Sequence, residues 1–138
     1  MSRVVDFYIR TDQPVDRLER DYRAQLRAAG ADPDRFWLHF RAADAEAKER
    51  GRREFGFEPA VVASVQPPPQ IGDPELQTAF LMTAHAAGAE LVAFHDGTPL
   101  FSYRGGAAQL PAQDRAYYEA YVLPAFAGRI EWKDVWPP

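Results

Sequence analysis

The sequence predicts an α+β fold, a mainly antiparallel sheet with helices packed on one face. Two helical stripes, three stretches with strand character and one strong hairpin signal carry that reading. At 138 residues the chain suits one domain, residues 1–138, and no repeat, low-complexity tract or linker divides it.

Val4 to Thr11 (VVDFYIRT) is the first strand, with Val5, Phe7 and Ile9 on one face. The TDQP that follows stops it. Val15, Leu18, Tyr22, Leu26 and Ala29 then recur at spacings of 3, 4, 4 and 3, a single helical stripe. Pro14 suits the first turn, and Gly30 suits a left-handed end. Asp16–Arg20 and Glu19–Arg23 are i,i+4 pairs on its wet side. In DRFWLHFRA, Phe36, Leu38 and Phe40 point one way, and Trp37, His39 and Arg41 the other, as in a half-buried strand. DAEAKERGRREFG is a weak helix interrupted by Gly51, and FEPAVVASVQ is a third strand. PPPQIGDP is a stiff extended segment, because consecutive prolines fix φ and donate no hydrogen bonds.

DPELQTAFLMTAHAAG is the second clear helix. Asp73 caps it, Pro74 takes the first helical position, Glu75 meets the positive dipole end and Gly88 stops it. Its stripe is Leu76, Phe80, Thr83 and Ala87, with Ala79 and Ala84 alongside. In ELVAFHDGTPLFSYRGG, Asp96-Gly97 is the signal for a two-residue type I′ hairpin. That turn pairs Phe94 with Pro99, Val92 with Phe101 and Glu90 with Tyr103. Pro99 makes Thr98–Arg104 a poor partner on its other side, which places it at or near an edge. GGAAQLPAQ reads as loop, AQDRAYYEAYVL as a last helix closed by Pro124, and RIEWKDVW as a final strand. Tyr117 and Tyr121 stack at i,i+4 and are expected on the sheet, with Tyr118 outward.

Composition narrows the chemistry. The apolar fraction of 46% is enough for an ordinary core, so neither metal nor disulfide is needed to hold it. With no cysteine, a disulfide scaffold, a thiolate zinc site and a cysteine nucleophile are excluded, and a reducing compartment suits the chain. The N-terminus has no apolar run behind its charge, and no segment approaches the ~18 apolar residues of a membrane span. The expectation is a cytoplasmic protein. The formal charge of −4 falls wholly in residues 59–138, since Lys/Arg and Asp/Glu balance in residues 1–58. An acidic half repels phosphate backbones, arguing against nucleic acid, and suits a basic protein partner.

His39, His85 and His95 are far apart and none pairs at i,i+4, so no metal is expected. No serine sits in G-x-S-x-G and no phosphate-binding glycine loop appears, so no cofactor is expected. His95-Asp96 is a hairpin tip rather than a catalytic pair, because strand neighbours point to opposite faces and Asp favours an Asp-Gly turn. Lys48, Arg50, Arg52 and Arg53 are interleaved with Glu46, Glu49 and Glu54, a salt-bridged solvated face.

Phe55-Gly56-Phe57-Glu58-Pro59 leading into a strand, then the capped helix, then the Asp96-Gly97 hairpin followed by Arg104-Gly105-Gly106, resembles the immunity proteins of bacterial polymorphic toxins. The nearest are the Sit-type immunity proteins of myxobacterial swarm inhibition. The resemblance covers about residues 50–106. The chain departs from it in the triple proline before Asp73 and in the tyrosine-rich tail. It implies a non-catalytic protein that binds one cognate toxin and blocks it.

On that reading Asp73, Glu75, Glu90 and Asp96 are the expected partner-binding carboxylates, with Tyr103 and Tyr118 as aromatic anchors. A second reading is a small enzyme or small-molecule binder, with Tyr22, Trp37 and His39 lining a pocket between sheet and helices. A third is a structural subunit or chaperone that pairs through an open edge strand, which a homo-oligomer joined along that edge would favour.

Overall fold

Val5, Phe7 and Ile9 alternate along the first strand, and all three are buried in one cluster, as their spacing predicts. The computed structural model describes residues 4–69 and 73–138. The strands are β1 (Val5–Arg10), β2 (Trp37–Ala42), β3 (Val61–Gln66), β4 (Glu90–His95), β5 (Thr98–Arg104), β6 (Ala107–Pro111) and β7 (Arg129–Lys133). They form one sheet in the order β2-β3-β1-β4-β5-β6-β7, antiparallel except for the parallel β6–β7 pair. With its helices this is the predicted α+β class.

Phe7 faces Ala63 on one side and Ala93 on the other. Those small neighbours leave room for a helix to come close, and the Phe80 ring stacks on Phe7 with centroids 3.4 Å apart. Phe80 belongs to α3 (Asp73–Ala87), which shares the inner face with α1 (Val15–Ala28). Leu18, Tyr22 and Leu26 of α1 are buried, as the stripe requires. Gly30 ends that helix at φ 90°. Tyr22 stacks on Phe80 at 3.9 Å and donates its hydroxyl to Leu76 O at 3.3 Å. Burial extends beyond the stripe predicted for α3, because Gln77, Thr78 and Leu81 are covered too. The C-terminal helical segment closes its far side, where the Thr78 hydroxyl donates to Val122 O at 3.1 Å.

The Asp96-Gly97 turn has φ 48° and 80°, the type I′ signature that matches strand twist. Phe94 pairs with Pro99 as expected, but Ala93, not Val92, opposes Phe101. A β-bulge at Leu100 makes that shift. Without it Phe101 would share the outer face with Val92; with it Phe101 enters the inner core and Leu100 packs against the same cluster.

The strand Thr98–Arg104 is not an edge. Gly105 and Gly106, at φ 59° and 77°, make a second tight turn into β6, where the sequence reading had a loop. β6 pairs with Ser102, Tyr103 and Arg104 only, so Pro99 blocks its own end and no more. The edges are β2 and β7. The predicted last helix is a run of short helical turns: α4 (Arg115–Tyr117), a wide π turn over Tyr118–Val122, and a tight turn over Leu123–Ala125.

The helices are not confined to one face. α2 (Ala45–Arg50) and the π turn Gly51–Phe55 lie over the middle of the outer face. Ala47, Phe55 and Phe57 pack there against Tyr8, Val62, Val92 and Phe94. The basic run is ion-paired as expected, Arg50–Glu54 and Arg52–Glu58 both at 2.6 Å and Arg53–Glu49 at 3.6 Å. The α-helix gives way to the π turn at Gly51, where the sequence predicts an interruption, yet the backbone stays helical. Glycine is needed there because a Cβ would run into Pro59 Cδ and come within 2.8 Å of Phe57 O. Gly51→Ala is therefore expected to cost about 1–3 kcal/mol of stability, as overpacking does. Urea denaturation measures this, and a change within about 0.3 kcal/mol would mean that the turn shifts freely.

Candidate interaction surface

The four predicted carboxylates do not form one patch. Asp96 sits at the hairpin tip with its side chain 80% exposed, while Glu90 lies at the other end of the same strand. Glu90 is already engaged, accepting from Arg10 at 3.2 Å and from the Gly105 amide at 3.1 Å. Glu75 buries one carboxylate oxygen without a hydrogen-bond partner among the described residues. The side chain of Asp73 lies outside the described residues. His95 Nε2 and Asp96 Oδ2 are 3.6 Å apart, too far for a hydrogen bond, and the pair remains a turn.

Neither predicted anchor is exposed. Tyr103 and Tyr118 belong to the core cluster at 3% and 4% exposure. Glu90 and Tyr103 do meet, at an open groove of about 720 Å³ that also takes in Arg10, His85 and Gly105. There the Tyr103 hydroxyl lies 2.8 Å from His85 Nδ1, so the exposed His85 is tied to the sheet rather than simply solvated. Arg10–Glu90 and His85–Tyr103 pair four of the groove's polar side chains with one another, and Thr11 and Asp12 line it too.

Tyr22, Trp37 and His39 do not line a common pocket. Tyr22 is fully buried between Phe40 and Phe80 on the inner face. Trp37 and His39 stand on the opposite face of β2, exposed, with ring centroids 6.0 Å apart.

The tyrosine tail is reversed relative to the sequence reading. Tyr118 and Val122 turn inward, and Tyr117 and Tyr121 are exposed by 37% and 65%. The signal was present in the spacing, since Tyr118, Val122 and Phe126 recur every fourth residue and all are buried. That stripe is more apolar than Tyr117, Tyr121 and Ala125. The two outward rings lie 5.5 Å apart, and Tyr117 also meets the buried Tyr118 edge-on at 5.5 Å. Tyr118 is fixed in turn by its hydroxyl, which donates to Leu100 O at 3.3 Å, and by Trp132. Arg115 spans Trp132, its guanidinium 5.1 Å from the ring centroid, while bonding Glu119 at 2.6 Å. Glu119 and the exposed Asp114 thus edge a pair of tyrosines held from behind. Rigid tyrosines give large amphipathic contact area at small entropy cost.

Burial also sets an alkaline limit on the fold. It pushes the hydroxyl of Tyr22 well above its ordinary value and does the same to Tyr118, helped there by the charge of Asp114 and by Tyr117. Tyr103 is raised by burial against the opposing pull of Arg129. Each phenol stays neutral in the fold but ionises near pH 10 once unfolded. Their contribution is complete below about pH 10 and is lost as pH rises toward the folded values. The urea midpoint should fall above about pH 10, and Tyr118→Phe should flatten that fall. A midpoint independent of pH there would contradict the burial of these rings.

Among the described residues, no helix is long and apolar enough to cross a membrane. No protein-family model, curated protein or solved structure matches the chain.

Proposed function

We propose that this chain is a non-catalytic, immunity-type protein that neutralises a cognate toxin domain of basic character by binding it in the cytoplasm. The observation that carries the reading is the exposed Tyr117–Tyr121 pair edged by Asp114 and Glu119. Tyrosine is enriched among residues that dominate interface energies. Lysine or arginine side chains of a partner would gain from the ring faces and from the exposed carboxylate of Asp114, while Glu119 holds Arg115 at 2.6 Å. The surface lies in residues 59–138, which hold the whole net charge of −4 and would steer a cationic partner toward the chain.

The test is protection. The candidate toxin is the product of the gene next to that of this chain: a bacterial host making it should stop growing alone and survive when the chain is co-expressed. The two should co-purify in a stoichiometric complex whose association slows as salt rises. Growth arrest that the chain does not relieve would overturn the proposal.

A further inference from the structure

The outer face of the sheet carries a second feature, independent of the tyrosine surface. A cleft of about 380 Å³ opens over β4, β5 and β6, beside the π turn that follows α2. Its floor includes Ser102, Arg104 and Gln109, one side is Phe55, and the other is Trp136 with the two prolines after it. Both aromatic sides are fixed. Phe55 meets Tyr8 edge-on at 5.6 Å, and the Trp136 indole Nε1–H donates to Pro99 O at 2.8 Å.

Arg104 is the group that packing does not explain. It is half-buried, with its guanidinium carbon 5.4 Å from the Phe57 ring centroid. Gly56 lies beside it, and an added Cβ there would sit at ordinary contact distance, 3.8 Å, from Arg104 Nη2. Glu54, the acidic side chain lining the cleft, is held by Arg50 at 2.6 Å and is not available. Among the described residues, no carboxylate comes within ion-pair distance of Arg104, although the residue is half-buried. A half-desolvated guanidinium with its donors unengaged matches a planar carboxylate, which it can bind through two parallel bonds. Ser102 donates to Gln109 Oε1 at 3.0 Å, fixing the amide beside it.

We propose that this cleft binds a small aromatic carboxylate, its anionic group on Arg104 and its ring between Phe55 and Trp136. The volume is within the range of small-ligand sites, and few polar groups set in aromatic walls are their usual make-up.

Indole-3-acetate is the probe, with indole-3-acetamide as its uncharged counterpart. Calorimetry should show saturable binding of the acetate at millimolar concentration or below. The Trp136 indole and Arg104 amide signals should move in the ¹H–¹⁵N spectrum. The acetamide, and the acetate on Arg104→Gln, should each bind at least about tenfold more weakly, the loss of one charge-assisted contact. No saturable binding, or equal binding of acetate and acetamide, overturns the proposal. The acetate–acetamide comparison uses the native chain, so it decides the matter even where Arg104→Gln does not fold. Neither result bears on toxin binding, which uses the helical layer on the other side of the sheet.

Discussion

Phe80→Ala is expected to lower the unfolding free energy by about 3–5 kcal/mol, the range for a large aromatic removed from a closed core. Phe80 is fully buried and its ring stacks with Phe7 at 3.4 Å and Tyr22 at 3.9 Å, so it joins the sheet to both inner helices. Collapse into the void is opposed on three sides by the rings of Phe7, Tyr22 and Phe40, which belong to different elements. The Tyr22 hydroxyl bond to Leu76 O, one turn before Phe80, would be strained by any inward shift of α3. Phe80→Leu keeps much of the volume and should cost about half as much. Urea denaturation of both variants measures this. A loss below about 1 kcal/mol for Phe80→Ala would mean that α3 is not the element bridging the two layers.

Replacing Tyr117 and Tyr121 together by alanine should weaken toxin binding by about 30-fold or more, since interface tyrosines of this kind cost about 2 kcal/mol or more when truncated. Stability should change by less than about 0.5 kcal/mol at Tyr121, which is 65% exposed, and by about 1 kcal/mol at Tyr117, which packs edge-on against Tyr118. Tyr118→Ala is the contrast. It removes a buried ring and its bond to Leu100 O, and should lower stability by about 3 kcal/mol. Charge reversal at Asp114 and Glu119 should act mainly on the association rate and on its salt dependence. Asp96→Ala, in the hairpin turn and outside this surface, should leave binding unchanged. Tight binding by the double alanine variant would move the interface elsewhere.

The parts of the fold legible in the sequence are those where local signals agree. The stripe Leu18, Tyr22, Leu26 and the Asp96-Gly97 turn each depend on residues a few positions apart, and both are where they were placed. The misplaced parts depend on what lies across the sheet. The bulge at Leu100 answers a need to bury Leu100 and Phe101 on one side, which no alternation pattern contains. β6 is hidden in the sequence because Pro99 argues against pairing along β5, whereas β6 uses only the far end of that strand. Gly105-Gly106 was the overlooked turn signal, of the same type as Asp96-Gly97. Of the site, the charge imbalance is readable, and the placement of the tyrosines is readable only when the stripe is followed as far as Phe126. Tyr117/Tyr121 and Tyr118/Val122 have the same spacing, and only Phe126 and the neighbouring Trp132 decide which pair is buried.

The most direct measurement is amide hydrogen exchange on the complex of this chain with its co-expressed toxin domain, compared with the chain alone. The account predicts slowed exchange concentrated in residues 112–125, around Tyr117 and Tyr121, with the Asp96 hairpin tip unchanged. Protection centred on the hairpin tip or the β2 edge, with residues 112–125 exchanging as in the free chain, would contradict it.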